Sequence, residues 1–83
     1  MAGPGEGSIR LAFRGAAWVE ITDARGKVLL SRTHPGGSST EVIGRPPFGL
    51  VIGNAPEVSV AYNGREVDLA PHTRVAVARL TLP

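Results

Sequence analysis

Val58-Ser59-Val60-Ala61-Tyr62-Asn63-Gly64-Arg65-Glu66-Val67-Asp68-Leu69 is the stretch that decides the fold. Apolar residues alternate up to Asn63-Gly64 and resume beyond it. Asn-Gly is the preferred pair for a type I′ turn, because both central residues need positive φ. Read as a two-residue loop, it pairs Tyr62 with Arg65, Val60 with Val67 and Val58 with Leu69. These pairs share one face, while Ser59, Ala61, Glu66 and Asp68 share the other. Turn chemistry and alternation agree on an antiparallel hairpin with one buried face.

The same period of two extends outward from it. Ile9, Leu11 and Phe13 alternate with Arg10, Ala12 and Arg14 before Gly15 breaks the run. Val19 and Ile21 place a second strand, whose other face carries Trp18, Glu20 and Thr22. Asp23-Ala24-Arg25-Gly26 reads as a turn, since Asp bonds its own backbone and Gly supplies positive φ at the exit. With those residues as the loop, Ile21 falls opposite Val28 and Val19 opposite Leu30. His34-Pro35-Gly36-Gly37-Ser38-Ser39 is the most mobile-looking internal loop. Thr40 to Ile43 is a short strand ending at Gly44. Arg45-Pro46-Pro47 then leads stiffly into Phe48-Gly49-Leu50-Val51-Ile52; an entry segment is the simpler reading than a ligand for proline-reading domains. Ala70-Pro71-His72-Thr73 is a further break. In Arg74 to Leu82 the phase shifts, with Val75 and Val77 on one face and Leu80 and Leu82 on the other. That predicts a bulge near Ala78-Arg79, or a strand covered on both faces. No window reads as a helix. The expected fold is all-β: a small antiparallel β-sandwich or partly closed barrel of about seven to eight short strands.

Composition narrows the classes of function. The chain has 83 residues and no cysteine, so it has neither disulfides nor thiolate zinc ligands. Its two histidines do not close a structural zinc site by themselves. A chain of this size buries only about 60% of its unfolded surface, and packing must carry the fold. Hydrophobic residues at 42% make that feasible, and charged residues at 19% argue against a disordered chain. Nine Lys+Arg against seven Asp+Glu leave a net charge of +2. The cations are scattered (Arg10, Arg14, Arg25, Lys27, Arg32, Arg45, Arg65, Arg74, Arg79), so a nucleic-acid or anionic-lipid footprint is weak. No stretch approaches the ~18 apolar residues of a membrane span, and none reads as a signal peptide. Residues 1–8 read as a flexible linker or a cloning remnant, and residues 9–83 as a single β domain.

Catalytic chemistry is hard to find. His72 and Asp68 are close in sequence, but no Gly-x-Ser-x-Gly elbow accompanies them, and a solvated loop histidine is the simpler reading. His34 reads the same way. Glu66 and Asp68 share an outward strand face, where a solvated surface suffices. Base stacking needs several aromatics in a basic groove, and Phe13, Phe48 and Tyr62 lie on core faces. Trp18 is the exception. Either the tail or another strand covers it, the commoner fate of a lone tryptophan, or it forms a partner surface with Leu29 and Ser31 across the hairpin. Residues alone lead to a small β interaction module, not an enzyme, with no cofactor and no metal.

Four motifs in order also carry a resemblance. They are Trp18-Val19-Glu20-Ile21-Thr22-Asp23-Ala24-Arg25-Gly26-Lys27; Gly44-Arg45-Pro46-Pro47-Phe48-Gly49-Leu50-Val51-Ile52-Gly53-Asn54-Ala55; Tyr62-Asn63-Gly64-Arg65-Glu66-Val67-Asp68-Leu69; and Val77-Ala78-Arg79-Leu80. Together, over about residues 9 to 82, they resemble the C-terminal domain of the bacterial cell-shape protein RodZ. The resemblance implies a larger protein with a cytoplasmic helix-turn-helix domain that binds the actin-like MreB, one membrane span, a periplasmic linker and this β domain. It implies a location on the periplasmic side of the inner membrane, partners among the cell-wall elongation machinery, and a part in side-wall peptidoglycan synthesis. Any contact with the membrane would come through that span, and none with nucleic acid is implied for this domain. Helix-turn-helix and span are both missing from these residues, so neither activity falls on any of them. The recurring family residues map to turns and strand entries that maintain the fold: Gly26, Gly44, Pro46, Pro47, Gly53, Asn54 and Gly64, with Asn63 beside the last. Glycan or peptidoglycan binding and a passive structural cap are the alternative functions.

Overall fold

The computed structural model describes residues 3–83; Met1 and Ala2, the start of the expected tail, lie outside the described residues. Nine strands run β1 Gly7–Phe13, β2 Ala17–Thr22, β3 Val28–His34, β4 Ser39–Gly44, β5 Phe48–Gly53, β6 Val58–Tyr62, β7 Arg65–Val67, β8 Thr73–Arg74 and β9 Val77–Leu82. Two 3-10 turns, Ala55–Glu57 and Ala70–His72, interrupt them. The strands form two antiparallel sheets, ordered β4-β1-β6-β7 and β3-β2-β5-β9-β8. The architecture is thus a sandwich rather than a barrel, with one strand more than the upper expected number. Gly7 and Ser8, read from composition as tail, belong to β1.

Alternation places the core between the sheets. Ile9, Leu11 and Phe13 of β1 face inward beside Tyr62, Val60 and Val58 of β6, their direct partners. From the other sheet come Val19, Ile21, Phe48, Leu50, Ile52, Ala78, Leu80 and Leu82. Phe48 is fully buried, and its ring meets Tyr62 edge-on at a centroid distance of 5.9 Å. Room for that ring comes from Gly7 and Gly44, which face each other across β1 and β4. A Cβ on Gly7 would stand 2.8 Å from the Tyr62 ring and 3.0 Å from Phe48; one on Gly44 would stand 2.8 Å from Leu29 Cδ1.

The Asn63-Gly64 turn forms as its chemistry dictates, with φ of 51° and 82° and Tyr62 opposite Arg65. The ladder stops at Val60 and Val67, however, and the expected Val58–Leu69 pair does not form. Leu69 still reaches the core, while Asp68 Oδ1 accepts from the Ala70 N–H and starts the second 3-10 turn. Nothing crowds a Cβ at Gly64, so Gly64→Val carries a purely backbone cost of about 1–3 kcal/mol. A melting midpoint lowered by several degrees is the expected result, and an unchanged one would refute the turn assignment.

Three features differ from the sequence expectation. The β2–β3 register is offset by two residues: Ile21 pairs with Leu30 and Val19 with Arg32, and the ladder shifts between Ile21 and Thr22. The Asp23 turn itself is as expected, its carboxylate accepting from the Arg25 and Lys27 N–H groups at 2.9 Å. The shift arises at Leu29, which the bulge turns against the core and the space above Gly44. Half-burying that leucine is worth about 1 kcal/mol, which offsets the irregular pairing at the bulge. Second, residues 35–38 are pinned. The Gly37 N–H donates to Phe13 O at 2.7 Å and the Phe13 N–H donates to Ser38 O at 2.9 Å. Third, the phase change near residue 78 is no bulge but a further hairpin, in which Val75-Ala76 joins β8 to β9.

Candidate interaction face

The outer face of the five-stranded sheet is assembled by the alternation that builds the core. On β2 it presents Trp18, Glu20 and Thr22, opposite Thr33, Ser31 and Val28 of β3. On β5 it presents Gly49, Val51 and Gly53, and on β9 Val77, Arg79 and Thr81. Trp18 is 39% exposed. Ser31 is exposed on the same face, beside Glu20 rather than Trp18. Leu29 is half-buried and packed toward the core, so the structure does not bring it to Trp18. Gly53 lies next to Trp18: a Cβ there would stand 3.7 Å from Trp18 Cβ. Beyond Gly53 in the same row stands Val77, two strands and so about 10 Å from Trp18.

Sequence reasoning missed the residue that completes this end of the face. Val75 is fully exposed and has φ of 62°, the left-handed region where a β-branched side chain is a genuine outlier. The cause is local. Ala76 O accepts from the Ala55 N–H at 2.8 Å, so the turn is tied to the 3-10 turn that follows β5. With Ala76 committed there, Val75 takes the strained conformation and its side chain points into solvent. Asn54 fixes the other side of this junction, with φ of 61° and its Nδ2 donating to Ala16 O at 2.8 Å. Valine is not a turn former, so composition held no sign of it; the alternation of Ala78, Leu80 and Leu82 marks where β9 begins.

Pro71, His72, Arg74, Val75, Val77 and Arg79 line an open cleft of about 530 Å³ below this turn. No carboxylate lines it. Among the described residues the side-chain ion pair is Arg10 with Glu41 at 3.6 Å, across β1 and β4 of the other sheet. A larger depression of about 780 Å³ lies beside the 3-10 turns. Its polar groups hold turns together: Arg14 donates to Ser59 Oγ at 2.8 Å and to Pro56 O, and Asp68 is engaged by Ala70. Asp68 lines this depression and His72 the cleft below the Val75 turn, so the two are not brought into one site. Among the described residues no cluster of three or more His, Asp or Glu is placed to hold a metal.

His34 corrects the solvated-loop reading. It ends β3, is buried, and stacks on Phe13 at 4.5 Å with planes 6° apart. Its Nδ1 has no hydrogen-bond partner among the described residues. Burial and the nearby Arg32 charge lower its pKa, and a hydrogen bond with the Arg32 backbone offsets part of this. A lowered pKa means the unfolded chain binds more protons near its ordinary value of 6.5. Stability is therefore full above that value and declines as pH falls through it. The melting temperature should drop between about pH 7.5 and pH 5, and His34→Phe should flatten that slope. An equal slope in the variant would assign the effect elsewhere.

Turns and strand entries account for the positions singled out by resemblance. Gly26 has φ of 78° at the β2–β3 turn, Gly44 lies beneath Phe48, and Pro46-Pro47 links β4 to β5. Gly53, Asn54, Asn63 and Gly64 stand at the junctions described above. No solved structure matches the chain. The family model of the RodZ C-terminal domain matches residues 10–81, from within β1 to the penultimate residue of β9, and so covers both sheets and the whole Trp18–Val75 face. By that match the chain belongs to the RodZ C-terminal domain family.

Proposed function

We propose that this β-sandwich is a non-enzymatic protein-interaction module of a RodZ-like cell-shape protein. In this reading it sits on the periplasmic side of the inner membrane and helps couple the MreB cytoskeleton to side-wall peptidoglycan synthesis. One observation carries the interaction role: Trp18 and Val75, both exposed, lie at the same end of one outward sheet face. Aromatic anchors with apolar neighbours dominate interface energetics. Strand addition at the β3 edge is disfavoured by the bulge that this strand carries.

The test compares the wild-type domain with Trp18→Ala in pull-downs from a periplasmic extract. Trp18→Ala should melt within about 1 kcal/mol of wild type and capture partners at least several-fold less well. Its indole in the wild type should be quenched readily by iodide. Undiminished capture by Trp18→Ala would overturn the assignment of the face. Co-sedimentation with purified sacculi would favour glycan binding instead, which a face with a single exposed aromatic ring supports less well.

A further inference from the structure

We infer that the cleft under the Val75-Ala76 turn receives an extended acidic segment of a protein partner, with acidic residues two apart and an apolar residue covering Val75. The inference deepens the interaction reading and rests on it. Its starting point is a contrast within one chain. The β6–β7 turn uses Asn63-Gly64 for positive φ, whereas the β8–β9 turn places a valine in the same backbone region. Gly, Asn or Asp is the usual occupant of such a position. A β-branched side chain held there and left wholly in solvent is an apolar knob on a rigid mount.

The charge around that knob selects the partner. Arg74 lies opposite Val77, and Arg79 is two residues further along β9 on the same face. Diagonal neighbours of this kind are about 7–8 Å apart. Acidic side chains two apart on an extended strand project to one face at about 6.5–7 Å, a matching interval. Guanidinium groups bind carboxylates in bidentate geometry, and neither arginine has a carboxylate partner among the described residues. His72 adds a donor, while Pro71 and Val77 supply an apolar floor. The cleft contains no Phe, Tyr or Trp on which a base would stack. Two arginines also fall short of the 4–8 clustered cations that mark an anionic-lipid site.

The probes are two capped peptides, Glu-Val-Glu-Leu and its control Gln-Val-Gln-Leu, titrated into the ¹⁵N-labelled domain. The acidic peptide should shift amide resonances of residues 71–79 with a Kd of about 1 mM or tighter, and the control should bind at least about 10-fold more weakly. Arg74→Gln/Arg79→Gln should lose the acidic preference while its remaining spectrum and its melting temperature stay unchanged. Added salt should weaken the acidic peptide selectively. Equal binding of both peptides, shifts centred outside the cleft, or no shift up to about 5 mM would overturn the proposal. Pull-down separates it from the broader reading. Capture lost in Trp18→Ala but kept in Arg74→Gln/Arg79→Gln leaves an interaction module and rejects the acidic cleft. Capture kept in both variants rejects the acidic cleft and the Trp18 face together, and no capture by the wild-type domain would overturn the interaction reading itself.

Discussion

Phe48→Ala should leave the domain largely unfolded at physiological temperature. The ring is fully buried and projects from the five-stranded sheet onto Tyr62, Gly7 and Gly44 of the other. Truncating a buried Phe costs about 3–5 kcal/mol, the transfer loss plus the cavity left behind. A small domain without disulfides holds little more than that in total. Neither sheet can collapse into the gap easily, because Tyr62 is tethered at its far end by its hydroxyl, which donates to Pro83 O at 2.6 Å. Urea unfolding at 25 °C reads the result directly. A midpoint within about 0.5 M of wild type would mean that the core is organised around other side chains.

Gly44→Ala tests the same site by filling it rather than emptying it. The new methyl would stand 2.8 Å from Leu29 Cδ1 and 3.2 Å from Phe48 Cε1. Leu29 lies on a bulge and can yield, but only toward solvent; Phe48 is enclosed. Overpacking of this kind costs about 1–3 kcal/mol. The sharper expectation concerns coupling. In a Phe48→Leu background the smaller side chain vacates the space, so the cost of Gly44→Ala should fall by about 1 kcal/mol or more. A double-mutant cycle on denaturation midpoints measures it, and strict additivity would rule out the contact as drawn.

These two sites also mark the boundary of what the sequence made legible. The Asn63-Gly64 hairpin was readable because turn chemistry and alternation both lie within eight residues. The inward faces of β1, β2, β5 and β6 were readable for the same reason. Leu29 was not. Its position depends on a glycine fifteen residues away in the other sheet and on the ring that fills the gap between them. His34 was misread because a histidine among glycine and proline looks solvated, while its stacking partner Phe13 belongs to a different strand. Val75 was the costliest omission. The turn that holds it is tied down by the Ala76–Ala55 hydrogen bond, and such a bond leaves no trace in local composition. Of the candidate surface, Trp18 and Ser31 were placed on the outward face by alternation, whereas Leu29 was carried to the wrong neighbours by a register error of two.

The tyrosine tether has a mechanical side. Gly7 lies under the Tyr62 ring and Pro83 accepts its hydroxyl, so the first strand begins and the last one ends at a single pole. Val75, Val77, Gly53 and Trp18 stand at the opposite pole, a β9 strand-length away. A pull on Gly7 directed toward that far pole is taken up first by β1. That strand is hydrogen-bonded on both sides, to β4 and to β6, over most of its length. Pulled along its axis, it opposes the load with both ladders at once, in shear. An edge strand peeled sideways would surrender its bonds one after another. Within its own sheet, β1 therefore yields to an axial pull only when both ladders fail together.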